Sequence, residues 1–553
     1  MESEDTFSAA TVNFIFTVTL TLTLTSSVNL SVTAVLAWTA KMSSSPQEPL
    51  AAWTSQVLSY VAMTLSLAVL LKYLLTARVP ENIPPFPAKP YPILGHVTYF
   101  KDGMRKPLIE WAKSTGELFS LYFGSDLVVI LNSHDVYHKA FVKHADTLSD
   151  RPKSLAGDIG GEDPNKGILF ASGPVWKEQR SVSIQILKSF GMGKNILAPK
   201  ISEEVSTYLE TLSQLSGQPS DVRTLTQTAI ANIICSIVVG KRFEYHDMHF
   251  TKFIQKFEQL ARLNQSASLY PLFPWLRHLP GDFFKAKERI HLYKYIVDHF
   301  CCESIKKTIS AGSGDGKENF ISAYFQEKRR QDDKGQATTL DEENLARTIY
   351  SLFAAGIDTT STFILWFMLY MVHYPHMQTQ IFAEISEKVG LERSPDMNDK
   401  TKLDFINAAI LETLRISMAP LSLPHISRAD TTINGYTIPA GTTVIANLES
   451  IIRSADSFKD PEQFRPQRFL DVHGKFIQPE NFSLFGVGRR SCPGESLAKM
   501  ELFLFLTSLL QRFELQPATP SELPSLDPQQ GVVYSPRPFQ VRLVARRGFE
   551  DTH

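Results

Sequence analysis

The chain has 553 residues, of which 43% are hydrophobic and 20% are charged, so it is long enough and apolar enough to bury a large core. Its 56 basic and 57 acidic residues give a formal net charge of -1, which excludes the strong basic surplus of a nucleic-acid-binding protein. The four cysteines include no CxxC pair, which excludes a disulfide framework and a zinc site of the usual spacing.

The first clearly predicted element is a transmembrane anchor at residues 49–72. The stretch PLAAWTSQVLSYVAMTLSLAVLL carries no charge and is long enough to cross a hydrocarbon core of about 30 Å as a helix. Lys72 and Arg78 follow it, and their positive charge predicts that this end lies in the cytosol. The prolines of residues 73–96 then predict a stiff, extended hinge.

Residues 1–48 form an N-terminal extension whose role stays open. Residues 6–40 lack charge, but they are crowded with Thr and Ser, and acidic residues precede them where a secretory signal would be basic. They could form a second membrane segment, which would place the start of the chain in the cytosol. Alternatively, Met42 is the true start and the protein has a single anchor.

Helical periodicities dominate residues 97–547, and three stretches have the character of short strands. The strand-like stretches are residues 118–133, 435–448 and 539–545. The sequence therefore predicts a mainly α domain with small β-sheets.

Two motifs stand near the start of this domain. Trp176 and Arg180 lie four residues apart in GPVWKEQRSVSIQIL, so they share one face of a predicted helix. By itself this pattern is also that of an ordinary amphipathic helix. Just upstream, residues 155–173 contain several glycines, which predicts a mobile loop.

A long helix is predicted from Asp341, which would cap it, to Tyr374, where Pro375 stops it. Its middle reads AAGIDTT, residues 354–360, a polar and weakly helical patch inside an apolar rod. Packing alone does not explain an acid, Asp358, at this place. The patch is therefore a candidate functional site.

Glu412 and Arg415 lie on one face of a further predicted helix, where they can form an ion pair. The pattern ExxR is common by chance, and its usual interpretation is a solvated pair. Here, however, it stands upstream of the sequence FRPQRF, residues 464–469, and of Cys492. Its position therefore makes it a candidate structural motif.

The most informative stretch is FGVGRRSCPGES, residues 485–496, which precedes the apolar run LAKMELFLFLTSLL. A helix that begins at Gly494 or Glu495 would direct its positive end at the sulfur of Cys492, which favours the metal-binding thiolate. The glycines permit the approach of a flat, bulky partner, and Arg489 and Arg490 could meet carboxylates on it. The flat partner that has carboxylates and takes a single cysteine thiolate is haem.

Together these motifs resemble those of the cytochrome P450 superfamily. The residues that match its haem-loop pattern FxxGxRxCxG are Phe485, Gly488, Arg490, Cys492 and Gly494. AAGIDTT is similar to its oxygen-binding groove, AGxDTT, and residues 221–245 and 273–281 resemble the microsomal animal family 2. The resemblance implies the cytochrome P450 fold for residues 97–547, behind the N-terminal transmembrane anchor.

The resemblance also implies a role for each candidate site residue. Cys492 would be the axial iron ligand of haem b, iron protoporphyrin IX, while Asp358 and Thr359 would deliver protons. The residues expected in a buried structural triad are Glu412, Arg415 and Arg468. Other residues expected at the haem are Trp176, Arg180, Arg151, His425, Arg490, Phe485 and Ala355. The expected substrate-pocket residues are Phe353, Ala354, Leu421, Ser422, Val533 and Tyr534.

The implied activity is that of a monooxygenase, which inserts one oxygen atom from O2 into a lipophilic substrate such as a xenobiotic, steroid or fatty acid. The implied partners are NADPH-cytochrome P450 reductase, cytochrome b5, membrane lipid and the substrate, and no nucleic acid is expected. The implied location is the endoplasmic reticulum membrane, with the haem domain facing the cytosol. Two alternatives would share Cys492: an isomerase or dehydratase acting on peroxides, and a non-enzymatic haem sensor. Detoxifying and biosynthetic roles both stay open.

Overall fold

The fold is given by a computed structural model, which describes residues 50–546 with internal gaps. The gaps are residues 77–79, 102, 153–164, 266–280, 283, 312–318, 418–420, 455–457, 481 and 530–532. The predictions for residues 1–49 and for residues 155–164 of the glycine-rich loop lie outside the described residues.

Helix α1, Leu50–Thr76, covers the predicted anchor and continues past Lys72. It belongs to a unit that extends to Glu81 and includes residues 91–93, whereas residues 82–90 and 94 onward form a second unit. Large apolar side chains of α1 are exposed, among them Leu58, Met63 and Leu70. Such a surface suits a lipid environment better than water.

Helices form most of the second unit, as the sequence predicts. Its first nine described helices are α2 Arg105–Thr115, α3 His134–His138, α4 Gly173–Ser189, α5 Ala198–Ser213, α6 Arg223–Val238, α7 Met248–Gln265, α8 Ala286–Ile296, α9 Glu303–Ala311 and α10 Phe320–Asp333. Those that follow are α11 Glu342–His373, α12 Pro375–Lys388, α13 Asp404–Ser417, α14 Leu448–Ile452 and α15 Glu495–Arg512. Wider π-helical turns extend α3 through Lys139–Lys143 and join α8 to α9 through Val297–Cys302.

The strands are short and form small sheets, which confirms that prediction. They are β1 Leu118–Phe123, β2 Asp126–Leu131, β3 His425–Ile426, β4 Thr431–Ile433, β5 Tyr436–Ile438, β6 Thr443–Ala446, β7 Phe513–Pro517, β8 Pro528–Gln529, β9 Ser535–Pro536 and β10 Val541–Ala545. One four-stranded sheet has the order β1-β2-β6-β3, in which β2 and β6 are parallel and the other neighbours are antiparallel. The other strands pair two by two, β4 with β5, β7 with β10 and β8 with β9.

Helix α11 begins and ends where the sequence predicts. The side chain of Asp341 caps it by accepting a 2.6 Å hydrogen bond from the backbone N–H of Asn344, and Pro375 begins α12 directly after Tyr374. Helix α11 is itself long and apolar enough to cross a membrane, but 67% of its apolar segment is buried inside the protein. It is therefore a core helix of the second unit.

Helix α15 is the other central helix of this core. Its side chains are apolar almost all round, and Leu502, Phe503 and Leu506 are all buried, as expected for a helix enclosed on every side. It contacts α11. This pair of helices positions the candidate active site.

Candidate active site

Cys492 lies in the turn that leads into α15. Its backbone N–H donates a 2.7 Å hydrogen bond to the carbonyl of Phe485, which closes the loop between these residues. The N–H groups of Gly494 and Glu495, at the start of α15, are directed at the cysteine sulfur. The helix therefore begins where the sequence predicts, with backbone N–H groups that donate to the thiol.

Gly488 allows the cysteine loop to approach the π-helical turn that follows α3. Its φ of +70° lies in the left-handed region, and a Cβ at this position would be 2.0 Å from the carbonyl oxygen of Phe141. Any other residue would therefore strain the backbone and push the loop away from the turn.

The side chain of Cys492 is exposed, yet the surrounding protein desolvates it. Burial raises the pKa of Cys492, whereas the backbone N–H groups of α15 and the charge of Arg180 lower it. The helix start favours the thiolate, as the sequence predicts, but desolvation has the larger effect on the pKa of Cys492. A coordinating metal deprotonates a thiol outright, so the thiolate is expected on metal binding.

One face of α11 is open in the middle of the helix. Ala355 is exposed and Thr359, one turn later, is half-buried, whereas Phe353, Ile357 and Thr360 are buried. Because protein interiors are closely packed, an open face on a core helix requires a cavity beside it. The sequence-predicted patch therefore faces open space within the second unit.

Arg490 and Trp176 are in direct contact. The guanidinium carbon of Arg490 lies 3.8 Å from the centre of the Trp176 ring, which is a cation–π contact. Arg490 also donates hydrogen bonds of 2.8 Å and 2.5 Å to the carbonyls of Ser149 and Ala171. The indole of Trp176 is buried.

Arg151 and Arg180 extend the same cluster. Arg151 is buried and donates hydrogen bonds of 3.0 Å and 2.7 Å to the carbonyls of Leu423 and Pro424, just before β3. Arg180 donates to the carbonyl of Ser491, the neighbour of Cys492. The predicted cofactor-binding arginines therefore lie close to the cysteine loop.

The arginine cluster concentrates positive charge in a desolvated place. Burial and the charges of Arg151 and Arg180 lower the pKa of Arg490 to about 8, and burial and Arg180 lower the pKa of Arg151 to about 10. Burial, assisted by Arg151 and Arg490, also holds the pKa of His425 well below its usual value. Asp150 offsets only part of the repulsion on Arg490. Because buried cations are costly without anions, the cluster predicts an anionic ligand.

Two buried donors of this cluster fit the same conclusion. Trp176 Nε1 and Arg151 Nε have no hydrogen-bond partner among the described residues. An unpaired buried N–H group is costly, and most such groups in native structures are paired. The carboxylates of haem b would accept hydrogen bonds from them and balance the arginines, while Cys492 would hold the iron. The residues present therefore fit haem.

Asp358 and Thr359 lie on α11 beside exposed Ala355. The hydroxyl of Thr359 donates a 2.6 Å hydrogen bond to the carbonyl of Ala355, one turn earlier. Burial raises the pKa of Asp358, and the charge of Arg223 offsets only part of that effect. A carboxyl group in this state can hold a proton closer to neutral pH than an ordinary aspartate.

Glu501 is a buried acid on α15 that the sequence analysis did not single out. Its Oε2 accepts a 3.2 Å hydrogen bond from the hydroxyl of Thr360 on α11, and its Oε1 is buried without a partner in the described part of the chain. Burial raises the pKa of Glu501 to about 8, and the bond from Thr360 opposes this shift. The available signal was one acid inside the apolar run LAKMELFLFLTSLL.

The structure brings Glu412, Arg415 and Arg468 together. Glu412 Oε2 lies 2.7 Å from Arg415 Nε, and Glu412 Oε1 lies 3.1 Å from Arg468 Nε. The backbone N–H of Arg465 donates a further 2.7 Å hydrogen bond to Oε1. Because Glu412 and Arg415 are fully buried, removal of one partner would leave an uncompensated charge in the core.

The six expected substrate-pocket residues fall into two groups. Those that are partly accessible are Ala354, Leu421 and Ser422. Those that are buried are Phe353, Val533 and Tyr534. Phe353 packs edge-on against two rings of neighbouring helices, and the backbone carbonyl of Tyr534 accepts a 2.8 Å hydrogen bond from Trp366. The first group is therefore better placed to contact a substrate.

Comparison with known proteins gives the family. The Cytochrome P450 family model matches residues 84–543. Cytochrome P450 2U1 of Rattus norvegicus is 35% identical over 506 residues, which cover 87% of this chain and 94% of the relative. Cytochrome P450 2K1 of Oncorhynchus mykiss is 35% identical over 473 residues, which cover 84% of this chain and 92% of the relative. Cytochrome P450 2C39 of Mus musculus is 32% identical over 504 residues, which cover 89% of this chain and 100% of the relative.

These relatives agree with the resemblance seen in the motifs, including the likeness to animal family 2. Proteins of this family bind haem b, iron protoporphyrin IX, through a cysteine thiolate. The match covers most of this chain and nearly the whole length of the relatives. The chain is a haem-thiolate monooxygenase that belongs to the cytochrome P450 family.

Proposed function

We propose that this protein is a microsomal monooxygenase that inserts one oxygen atom from O2 into a lipophilic substrate, with electrons that derive from NADPH. The observation that carries the proposal is the arrangement around Cys492. An accessible cysteine at the start of α15 lies close to a buried cationic cluster with unpaired donors, and α11 presents an open face with a hydroxyl and an acid.

The chain's own residues would hold and orient the cofactor. Cys492 would bind the iron, and Trp176 Nε1 and Arg151 Nε would donate to the haem carboxylates, together with Arg180 and Arg490. When bound, haem supplies the centre at which dioxygen binds and is activated. The low pKa of His425 keeps its ring neutral beside the arginines, so it adds no further charge.

Asp358 and Thr359 would supply protons to the cavity. The hydroxyl of Thr359 can donate one hydrogen bond while it accepts another, so it can pass a proton from one side to the other. Its present acceptor is the carbonyl of Ala355, from which it would turn to donate into the open space. Asp358, whose pKa is raised by burial, would then resupply the proton.

The substrate is expected to be lipophilic, in the range of xenobiotics, steroids and fatty acids. Ala354, in the polar patch of α11, and Leu421, which precedes β3, are partly accessible apolar residues. Apolar lining is typical of small-molecule sites.

The electron donor would be NADPH-cytochrome P450 reductase, with cytochrome b5 as a second candidate. Exposed Lys143 lies on the π-helical turn that meets the cysteine loop at Gly488, and it gives this face positive charge, whereas neighbouring Arg489 is paired with Asp146. Such charge would attract and orient an acidic partner surface. Residues 49–72 would anchor the protein in the endoplasmic reticulum membrane, and residues 73–96 would connect the anchor to a haem domain in the cytosol.

Reconstitution tests this proposal directly. The full chain, loaded with haem in phospholipid nanodiscs, would be combined with the reductase, NADPH and ¹⁸O2, and offered a panel of steroids, fatty acids and drugs. We expect NADPH-dependent products that contain one ¹⁸O atom. The matched control omits the reductase.

The two alternatives give different results in the same assay. A peroxide isomerase or dehydratase would convert a fatty acid hydroperoxide without NADPH, and a sensor would bind CO without consuming NADPH for product. Either result, with no ¹⁸O-labelled product from the panel, would contradict a monooxygenase function.

A further inference from the structure

A second cavity lies away from the cysteine loop, between helices α7, α8, α9 and α10. Its volume is about 1330 Å³, and it is lined by the segment after α6, the first turns of α7 and α10, and the joined helices α8 and α9. Small-molecule pockets usually measure roughly 300–1,000 Å³, so the cavity is large enough for a rigid molecule of several rings.

Aromatic rings form much of its wall. The rings of Phe243 and Phe250 stack with centres 4.6 Å apart, and those of Phe253 and Phe300 with centres 3.9 Å apart. Tyr295 lines the cavity one turn before Phe300. These stacked rings hold one another in place, so the wall is formed before any ligand arrives.

An irregular helix forms part of the cavity wall. The π-helical turn Val297–Cys302 joins α8 to α9, and it contains two of the lining residues, His299 and Phe300. A π-helical turn within an α-helix is less stable than regular helix and occurs frequently at functional sites. Here it directs an aromatic ring into the cavity.

Basic side chains stand at the entrance. Lys241, Lys252 and Arg329 are exposed lining residues, and the described part of the chain contains no acidic partner for them within salt-bridge distance. Lys241 Nζ lies 4.5 Å from the centre of the Phe243 ring, and Lys252 Nζ lies 5.5 Å from that of Tyr295. The cations therefore stand directly over the aromatic wall.

The acids of the cavity do not cancel this charge. Asp247 accepts hydrogen bonds from two backbone N–H groups at the start of α7, and Glu303 lies 3.6 Å from Lys307. Glu342, at the start of α11, is the remaining acid among the described lining residues. The described lining residues thus comprise four basic and three acidic side chains, so positive charge remains beside the aromatic wall.

We propose that this cavity is a second small-molecule site, which binds an amphipathic anion. The ligand would place fused apolar rings against the partly exposed rings of Tyr295 and Phe300, which buried Phe253 supports by stacking on Phe300. Its acidic group, such as a sulfate or carboxylate, would lie between Lys241 and Lys252. The site is separate from the open face of α11, because buried Phe353 packs edge-on against both Phe253 and Phe300 and closes the wall between them.

Equilibrium dialysis with a defined probe tests the proposal. The haem-loaded full chain in nanodiscs would be saturated with 4-phenylimidazole, which occupies the haem cavity, and then dialysed against radiolabelled estrone sulfate, with empty nanodiscs subtracted. We expect one equivalent of estrone sulfate to bind, and estrone, which lacks the anion, to bind more weakly. The K241E/K252E variant should bind estrone sulfate about tenfold more weakly, since reversing two exposed charges replaces attraction by repulsion.

Lys256→Glu is the matched control. Lys256 lies on α7, one turn after Lys252, and does not line the cavity, so this variant should bind as the unchanged chain does. The proposal is overturned if no estrone sulfate binds once 4-phenylimidazole is present, if estrone binds equally well, or if K241E/K252E and Lys256→Glu bind it with the same affinity.

Discussion

Replacing Cys492 by Ala removes the side chain that we expect to bind the haem iron. The variant should fold, because Cys492 is exposed and Ala is smaller, but it should lack the red-shifted Soret band of the ferrous CO complex that a thiolate ligand produces. Absorption spectroscopy of the reduced, CO-treated protein measures this. Cys302→Ala, which removes a free thiol elsewhere, is the control and should keep the band. Retention of the band in the Cys492 variant would show that another residue binds the iron.

Thr359→Ala separates proton delivery from folding and binding. Ala is the better helix former, so the variant should bind haem and substrate nearly as before. A positioned acid–base group contributes about 10²–10⁴-fold, so product formation should fall strongly while NADPH oxidation continues. The measurement is the ratio of product formed to NADPH consumed, with hydrogen peroxide assayed in parallel.

Ser351→Ala is the matched control for Thr359. Ser351 lies on the same helix, and its hydroxyl makes the same kind of bond, to the carbonyl of Arg347 one turn earlier at 2.7 Å. Loss of the Ser351 hydroxyl should leave the ratio of product formed to NADPH consumed unchanged. If Thr359→Ala and Ser351→Ala convert substrate with equal coupling, Thr359 is not the relay.

Glu501→Gln should change how stability depends on pH. An ordinary glutamate has a pKa of 4.5, whereas burial raises that of Glu501 to about 8, so the folded state holds the proton more tightly than the unfolded state. The unchanged chain should therefore lose stability as the pH rises from 4.5 to 8, by an amount on the order of a few kcal/mol. Gln cannot ionise, so the variant should lack this loss.

Thermal unfolding of both proteins between pH 5 and pH 8.5 checks this prediction about Glu501. The two should differ little at the acid end, where Glu501 is protonated and resembles Gln, and the variant should be the more stable at the alkaline end. If the unfolding temperatures of the two proteins change with pH in the same way, Glu501 does not titrate in this range in the folded protein.

The residues that the sequence could indicate are those whose type conflicts with their surroundings. Cys492 stands among glycines and arginines before a helix, and Asp358 stands inside an apolar helix, so each is visible without a fold. Glu501 has the same character, but its partner Thr360 lies 141 positions earlier, and only the packing of α15 on α11 brings the two together. The desolvation that opposes the Cys492 thiolate is likewise a property of the packed loop.

The elements that could be predicted are those whose first and last residues carry a clear sequence signal. Asp341 and Pro375 delimit α11, and the strand-like character of residues 118–133 predicts short strands, which are β1 and β2 in the structure. The π-helical turns Lys139–Lys143 and Val297–Cys302 have no such signal, because they arise where neighbouring segments require a wider turn. The close approach of Gly488 to Phe141 depends on one of these turns.

Gly488→Ala should displace the whole cysteine loop. The left-handed φ alone costs about 1–2 kcal/mol for a residue with a Cβ, and the 2.0 Å approach to the carbonyl oxygen of Phe141 adds a clash that only a backbone shift can relieve. We expect reduced haem content and a lower unfolding temperature. Haem absorbance per protein and calorimetry measure the two effects.

Gly474→Ala is the matched control for the loop. Gly474 has a φ of +74°, but a Cβ there would meet nothing within 4 Å. The left-handed φ should lower the free energy of unfolding of this variant by about 1 kcal/mol, as in Gly488→Ala. The variant should nevertheless bind haem normally. If both variants bind haem equally well, the contact of Gly488 with the π-helical turn does not position the loop.

At the scale of the whole molecule, the division into two units separates the proposed membrane anchor from the proposed haem site. Every residue that we place at the haem lies in the second unit, as do the buried core clusters around α11, α15 and the larger sheet. The first unit contains α1 with its exposed apolar side chains. The two tasks should therefore be separable by truncation.

Deleting residues 1–75 should leave a folded, haem-binding protein, because the deletion removes none of the core that surrounds the candidate active site. The unfolding temperature and the ferrous CO band should match those of the full chain. Association with phospholipid vesicles, measured by flotation, should weaken, since Leu58, Met63 and Leu70 are lost. A truncated chain that fails to take up haem would show that α1 contributes to the fold of the haem domain. Unchanged flotation would instead show that another surface holds the protein at the membrane.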